Sequence, residues 1–258
     1  MKDITSYVYN FEELIRGNFL YVDKTEYIWQ LIRPSSAGYF LSRPRRFGKS
    51  LTLSTLKAVF EGKKELFKGL AIYDKPYDWK PYPVVHLNFG NCDAQTPEEL
   101  RSYLASVLKE AAKNRYENIL ADIQPDNLAV SFEILLNAAS RQGNVVVLID
   151  EYDKPILNTL SLPESQDCLK VLKGFYSTVK KCESILRFAF ITGVSKFSHV
   201  SLFSDLNNLT DITMEKQQRC FALLHAPGIA KTIPRQRKGQ HHLTSLSSSR
   251  SALCIHFS

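Results

Sequence analysis

The sequence has several absences that limit what the protein can be. Its first 17 residues contain no uninterrupted apolar core, so the sequence predicts no secretory signal. The longest aliphatic run is 145–149, far shorter than the roughly 20 residues that span a bilayer. The five cysteines show no C-x-x-C spacing, which argues against a zinc site. We therefore expect a soluble cytoplasmic protein with no membrane partner.

Acidic residues are absent after Glu215, whereas seven basic residues follow it. Residues 1–215 hold 26 basic and 26 acidic side chains, so the net charge of +7 belongs to the last 43 residues. Basic charge confined to one end of a chain gives little support for nucleic-acid binding by the folded body. We expect residues 215–258 to form a basic, mostly disordered tail.

The body of the chain alternates apolar strands with amphipathic helices. Such alternation predicts a parallel sheet flanked by helices in an α/β fold. The fully apolar run 144–149 is typical of a strand inside such a sheet. The predicted strands are 39–42, 83–89, 144–149, 186–191 and 207–214, and the predicted helices are 51–61, 97 to about 116, 130–141 and 165–181.

Two helix starts carry capping signals. Thr96 precedes Pro97 and stands three residues before Glu99, which predicts a helix capped by Thr96. Asp23 stands three residues before Glu26 in the same way, and this pattern predicts a helix that runs to about residue 32.

A candidate phosphate-binding loop, RPRRFGKS, follows the first predicted strand. Arg43 stands where the usual pattern G-x-x-x-x-G-K-[ST] has its first glycine. Lys49 would reach the β- and γ-phosphates and Ser50 would hold Mg²⁺. Taken alone, the stretch is equally well explained as a basic loop before a helix. The predicted nucleotide-binding residues are Arg45, Arg46, Phe47, Gly48, Lys49, Ser50 and Leu51.

A candidate acidic site ends the most apolar strand. Asp150 and Glu151 follow the run 145–149, and the carboxyl ends of strands are where open α/β sheets bind ligands. Asp150 would bind Mg²⁺, through water in most such sites, and Glu151 would act as general base. The alternative is that both begin a solvated loop. Finding this motif and the lysine loop in the expected order favours a nucleotide site.

The end of the strand 186–191 supplies a third candidate. Thr192 would orient the attacking water or touch the γ-phosphate, unless it merely begins a Thr-Gly turn. For Asp153 and Lys154 a structural pair or a loop end is the better interpretation.

These stretches together resemble the predicted AAA-ATPase-like family of bacterial P-loop proteins, over about residues 5–214. RPRRFGKS is that family's own form of the loop, so the arginine at position 43 fits the resemblance. The stretches that carry it are YVDKT, RPRRFGKSL, LIDEYDKP, FITGVSKFS and LNNLTDIT.

The resemblance implies a specific architecture and cofactor. It implies ATP as the nucleotide, with Lys49, Ser50, Asp150 and Glu151 in the roles given above. It also implies five core strands, with the lysine-loop strand central and 207–214 last. We expect three parts: an N-terminal helical extension packing on the core (1–36), a P-loop ATPase-like domain (37–214) and the tail (215–258).

The function predicted from the sequence is Mg²⁺-dependent ATP binding and hydrolysis, with Lys49, Glu151 and Thr192 as catalytic residues. A nucleotide-gated switch or scaffold without turnover, and a nonfunctional fragment of a longer ATPase, remain as alternatives. The arginines of the loop leave self-association or a partner protein open.

The tail has two explanations. Family members continue into a helical lid, so one explanation is a shifted reading frame or a truncated gene after about residue 215. The other is a genuine basic arm centred on RQRK, whose binding to nucleic acid would depend steeply on salt.

Overall fold

The structure is a computed structural model that describes residues 3, 5, 7–195 and 209–213. The tail predicted for 215–258 therefore lies outside the described residues. The strands are β1 (Ala37–Ser42), β2 (Val84–Asn88), β3 (Val145–Asp150), β4 (Leu186–Gly193) and β5 (Thr210–Asp211). The helices are α1 (Phe11–Arg16), α2 (Thr25–Ile32), α3 (Lys49–Phe60), α4 (Pro97–Ala112), α5 (Leu128–Ser140), α6 (Lys154–Thr159) and α7 (Ser165–Lys181).

The five strands form one sheet in the order β2-β3-β4-β1-β5, and every pair is parallel. This confirms the predicted α/β fold. The lysine-loop strand β1 is an interior strand with neighbours on both sides, while β4 takes the middle position. Strand β4 lies between β1 and β3 although it follows both in the chain. As a result, the carboxyl ends of β1, β4 and β3 are adjacent along one edge of the sheet.

The core consists of two apolar layers, one on each face of the sheet. Side chains alternate along β3, so Val147 and Ile149 face one layer while Val146 and Leu148 face the other. Helices α4, α5 and α7 cover the first face, and α1, α2 and α3 cover the second. Because both faces are covered, β3 is buried along its whole length, as its unbroken apolar sequence predicts.

The start of α4 confirms one capping prediction. Thr96 Oγ1 accepts a hydrogen bond from the Glu99 amide at 3.2 Å, and Pro97 occupies the first helical position. The helix ends at Ala112, earlier than predicted, because the chain turns at Asn114, whose φ is 67°.

The start of α2 differs from its predicted capping box. The helix begins at Thr25, and Asp23 Oδ1 accepts bonds from the amide and the hydroxyl of that residue at 2.8 and 2.7 Å. Asp23 Oδ2 accepts a bond from the Ala71 amide at 2.7 Å, and Glu26 pairs with Lys75 at 2.7 Å. These contacts with residues 71–75 replace the hydrogen bonds of the predicted capping box.

The N-terminal helices pack against the second layer through aromatic contacts. Phe11 is fully buried; its ring stacks on Phe67 at 4.7 Å and meets the edge of Tyr21 at 5.1 Å. Of the last predicted strand, 207–214, the structure describes 209–213 and finds a strand at Thr210–Asp211. No helix among the described residues is long and apolar enough to cross a membrane.

The Asp23 contacts yield a stability prediction. Replacing Asp23 by Ala removes the acceptor of three hydrogen bonds, so we expect the free energy of unfolding to fall by about 2 kcal/mol. Chemical denaturation measures it. The control is Asp74→Ala, at an exposed aspartate without a hydrogen bond in the described part of the chain, where the change should stay within about 0.5 kcal/mol. Equal stability of the two variants would contradict the prediction.

Candidate functional site

The loop between β1 and α3 has the backbone of an anion-binding turn. Arg46 and Gly48 both adopt left-handed conformations, with φ of 66° and 73°, and α3 begins at the next residue, Lys49. The amides of residues 45–48 make no backbone hydrogen bond within the described chain, and the first amides of any helix lack an intrahelical partner. Unpaired amides at a helix start are donors that suit an anion such as phosphate.

Lys49 spans this loop from the inside. Its side chain is buried, and Nζ donates to the carbonyl oxygens of Arg43 and Pro44 at 2.9 and 3.0 Å. Burial lowers the pKa of Lys49, and the negative charges of Asp150 and Glu151 oppose this effect. The lysine of the loop and the acidic strand end therefore lie within electrostatic reach of each other.

Asp150 is fixed by Thr192 at the carboxyl ends of β3 and β4. Thr192 Oγ1 donates to Asp150 Oδ1 at 2.6 Å, and both residues are almost fully buried. This bond leaves Oδ2 of Asp150 without a hydrogen bond among the described residues. The Thr192 hydroxyl donates its hydrogen to Asp150, and its predicted contact with water or the γ-phosphate stays a prediction.

Glu151 has a strained backbone and an uncommitted carboxylate. Its φ is 54°, a conformation that costs a non-glycine residue about 1 kcal/mol. Its Oε2 lies beside Gly90, two residues after the end of β2, where an added Cβ would stand 3.0 Å away. The side chain is half-buried and accepts no hydrogen bond in the described part of the chain. A carboxylate in this state is available to a water molecule.

The remaining predicted residues lie on the outer part of the loop and on the first helical turn. Arg45 and Arg46 are exposed, and 38% of Phe47 is exposed. Ser50 and Leu51 are half-buried in the first turn of α3. The structure thus brings Lys49, Asp150, Glu151 and Thr192 to one edge of the sheet, with the arginines at its solvent side.

Sequence reasoning missed the contacts of the turn after Glu151. Asp153 does not pair with Lys154, which donates to Asn158 Oδ1 at 3.3 Å. Asp153 Oδ2 instead accepts bonds from the amides of Val194 and Ser195, both at 2.7 Å. The sequence feature that reflects this contact is the glycine at 193, where an added Cβ would lie 2.9 Å from Asp153 Cγ.

A family profile described as AAA-ATPase_like, Predicted AAA-ATPase, matches residues 7–203. The chain belongs to this family. The match confirms the resemblance and contains four of the five sequence stretches that carry it, whereas LNNLTDIT lies beyond residue 203. At family level it supports an ATPase-like, nucleotide-binding protein.

A curated relative aligns with most of this chain. It is described as an uncharacterized protein in the vnfD 5' region of Azotobacter chroococcum mcd 1, and it is 42% identical over 214 residues. The aligned part covers 81% of this chain and 40% of that protein, so the chain spans less than half the length of the relative. No solved structure matches significantly.

The strain at Glu151 yields a second stability prediction. Glycine adopts a φ of 54° without strain, so we expect Glu151→Gly to leave the free energy of unfolding unchanged or raise it by up to about 1 kcal/mol. The control is Glu164→Gly, at an exposed glutamate whose φ is −90°, where a loss of about 0.5–1 kcal/mol is expected. Equal losses at both positions, measured by chemical denaturation, would show that residue 151 is unstrained.

Proposed function

We propose that this protein binds ATP with Mg²⁺ and hydrolyses its terminal phosphoanhydride. The observation that carries the proposal is the position of Lys49. It is buried at the start of α3, behind a loop of unpaired amides, and the negative charges of Asp150 and Glu151 raise its pKa against the effect of burial. A cation, a set of amide donors and two carboxylates at one sheet edge suit a phosphate chain with a bound metal ion.

The residues of the loop would hold the phosphates. Amides 45–51 would donate to phosphate oxygens, and Lys49 would exchange its two carbonyl acceptors for the β- and γ-phosphates. The exposed guanidinium groups of Arg45 and Arg46 suit a planar, two-pronged contact with phosphate oxygens. Phe47 and Leu51 would add apolar contact at the two ends of the turn.

The donor set near Lys49 fits Mg²⁺. The Ser50 hydroxyl and Asp150 Oδ2 are hard oxygen donors, which this ion prefers, and it usually completes its shell with water and phosphate oxygens. Bound there, Mg²⁺ would draw negative charge from the phosphate oxygens. Thr192 would keep Asp150 oriented for this contact through the bond to Oδ1.

Glu151 would take the proton from the attacking water. Its carboxylate is half-buried and has no hydrogen-bond partner in the described chain, and its backbone conformation holds it beyond the end of β3. Lys49 and the loop amides would offset the charge that develops on the phosphoryl oxygens. The site is proposed to act in the cytoplasm, where ATP is available.

Two substitutions separate binding from turnover. Lys49→Ala should abolish detectable ATP binding by calorimetry, because the variant lacks the ammonium group that would bind the phosphates. Glu151→Gln should keep the wild-type Kd while turnover falls by about 10²–10⁴, the usual contribution of a general base. The matched controls are Lys57→Ala, on the same helix and with 43% of its side chain exposed, and Glu164→Gln; both should behave as wild type.

The wild-type protein decides between the alternatives. ATP binding without turnover would contradict hydrolysis and support a nucleotide-gated switch. Failure to bind ATP would contradict the whole proposal.

The Thr192 hydroxyl makes the metal requirement testable. Thr192→Val removes the donor that orients Asp150, so the Mg²⁺ concentration for half-maximal turnover should rise about 10–100-fold, as for other outer-shell partners of metal ligands. Thr178→Val, at a buried threonine of α7 away from the site, is the control and should leave it unchanged. An unchanged Mg²⁺ requirement in Thr192→Val would remove Asp150 from the metal site.

A further inference from the structure

The carboxylate of Asp153 ties the turn after β3 to the tip of β4. We propose that Asp153 is a positioning residue that sets the distance between the phosphate loop (residues 43–50) and Glu151. Its effect on turnover rests on the proposed ATP hydrolysis, whereas its effect on the position of the β4 tip does not.

The contacts of Asp153 are buried and specific. The residue is 1% exposed, and its Oδ2 accepts from two successive amides, those of Val194 and Ser195, both at 2.7 Å. Hydrogen bonds from amides to a charged carboxylate are stronger than neutral ones. Two of them on one oxygen fix the peptide units that follow β4.

The same peptide units also hold the start of the phosphate loop. The Gly193 carbonyl accepts from the Arg43 amide at 3.0 Å, and the Val194 carbonyl accepts from Ser42 Oγ at 3.0 Å. Val194 is therefore held by Asp153 through its N–H and by β1 through its C=O. A shift of this residue would move the phosphate loop relative to the acidic turn.

The turn after β3 packs closely against the end of β4. A Cβ added at Gly193 would overlap the ring of Tyr152 and would lie 2.9 Å from Asp153 Cγ. Tyr152 adds two more bonds to the same segment: its amide donates to the Thr192 carbonyl and its hydroxyl to the Ser195 carbonyl, both at 2.9 Å. The turn after β3 and the tip of β4 are therefore connected both by packing and by hydrogen bonds.

The conformation of Asp153 shows that its side chain does not serve its own helix. It occupies the cap position of α6, where aspartate normally accepts a bond from the helix's first amides, yet it makes no such bond. Its second oxygen, Oδ1, is buried without a hydrogen-bond partner among the described residues. Burial raises the pKa of Asp153, and the two amides and the charge of Lys49 oppose the rise. The burial of Asp153 is thus unfavourable in itself, and the hydrogen bonds to the amides that follow β4 offset part of its cost.

Two roles of the carboxylate need to be separated. Its charge acts on Lys49, after those of Asp150 and Glu151, and its oxygen acts on the amides. Asp153→Asn keeps an acceptor oxygen in place and removes the charge. Asp153→Glu keeps the charge and displaces the oxygen by one methylene group. Positioning therefore predicts that Asn replaces Asp153 better than Glu does.

The experiment combines amide-resolved hydrogen exchange without nucleotide and steady-state ATP turnover. In Asp153→Glu and Asp153→Ala, the Val194 and Ser195 amides should exchange at least about tenfold faster, as expected for local loosening. Their kcat should fall about 100-fold, the cost of a displacement near 1 Å, with little change in KM. Asp153→Asn should keep the exchange rates and most of the kcat. Asp126→Ala, at an exposed aspartate, is the control and should match wild type.

Each contrary outcome has one meaning. Unchanged exchange at Val194 and Ser195 in both the Glu and the Ala variant would overturn the proposal. An inactive Asn variant beside an active Glu variant would also overturn it, because charge would then be what matters. If Asp153→Ala fails to fold, the Asn and Glu pair decides. If the wild-type protein does not hydrolyse ATP, the proposed function fails, while the exchange rates still test the positioning.

Discussion

The structure depends on the parallel alignment of β1, β4 and β3 as neighbours. Parallel strands place all their carboxyl ends at one edge of a sheet, so the loop after β1 faces the acidic turn after β3. A reversed β4 would put Thr192 at the opposite edge and leave the Asp150 carboxylate without its donor. Since β3 and β4 are buried on both faces, their apolar sequences secure this alignment.

The site is built around an expensive arrangement of backbone and charge. Arg46 and Glu151 occupy left-handed conformations, Lys49 is buried against carbonyl oxygens, and Asp153 has a buried oxygen with no partner in the described part of the chain. Each feature costs free energy of folding. The two apolar layers around the sheet supply the compensation, which is why such a site needs a rigid α/β core beneath it.

Much of this arrangement could be predicted from local sequence patterns. The run of aliphatic residues before Asp150, and the strand–loop–helix order around Lys49, follow from periodicity and residue type. The family profile confirms the resemblance, and the parallel sheet confirms the fold. The Thr96 cap was equally predictable, because a capping motif involves neighbours in the chain.

What could not be predicted depends on contacts between distant segments. The Thr192 hydroxyl has a partner only because β4 inserts beside β3, and no local pattern reveals that order. Asp23 likewise follows a capping pattern, yet its contact with Ala71 lies 48 residues away. Asp153 was interpreted from its neighbour Lys154, whereas its partners, Val194 and Ser195, directly follow the neighbouring strand β4.

The central claim is that the loop before Lys49 receives the phosphates of a nucleotide opposite Asp150. A crystal structure with Mg²⁺ and a non-hydrolysable ATP analogue tests it most directly. The account predicts that Lys49 Nζ leaves the carbonyl oxygens of Arg43 and Pro44 for the β- and γ-phosphates, with the metal ion between Ser50 and Asp150. An analogue bound elsewhere, or a Lys49 still bound to those carbonyls beside an occupied site, would contradict it.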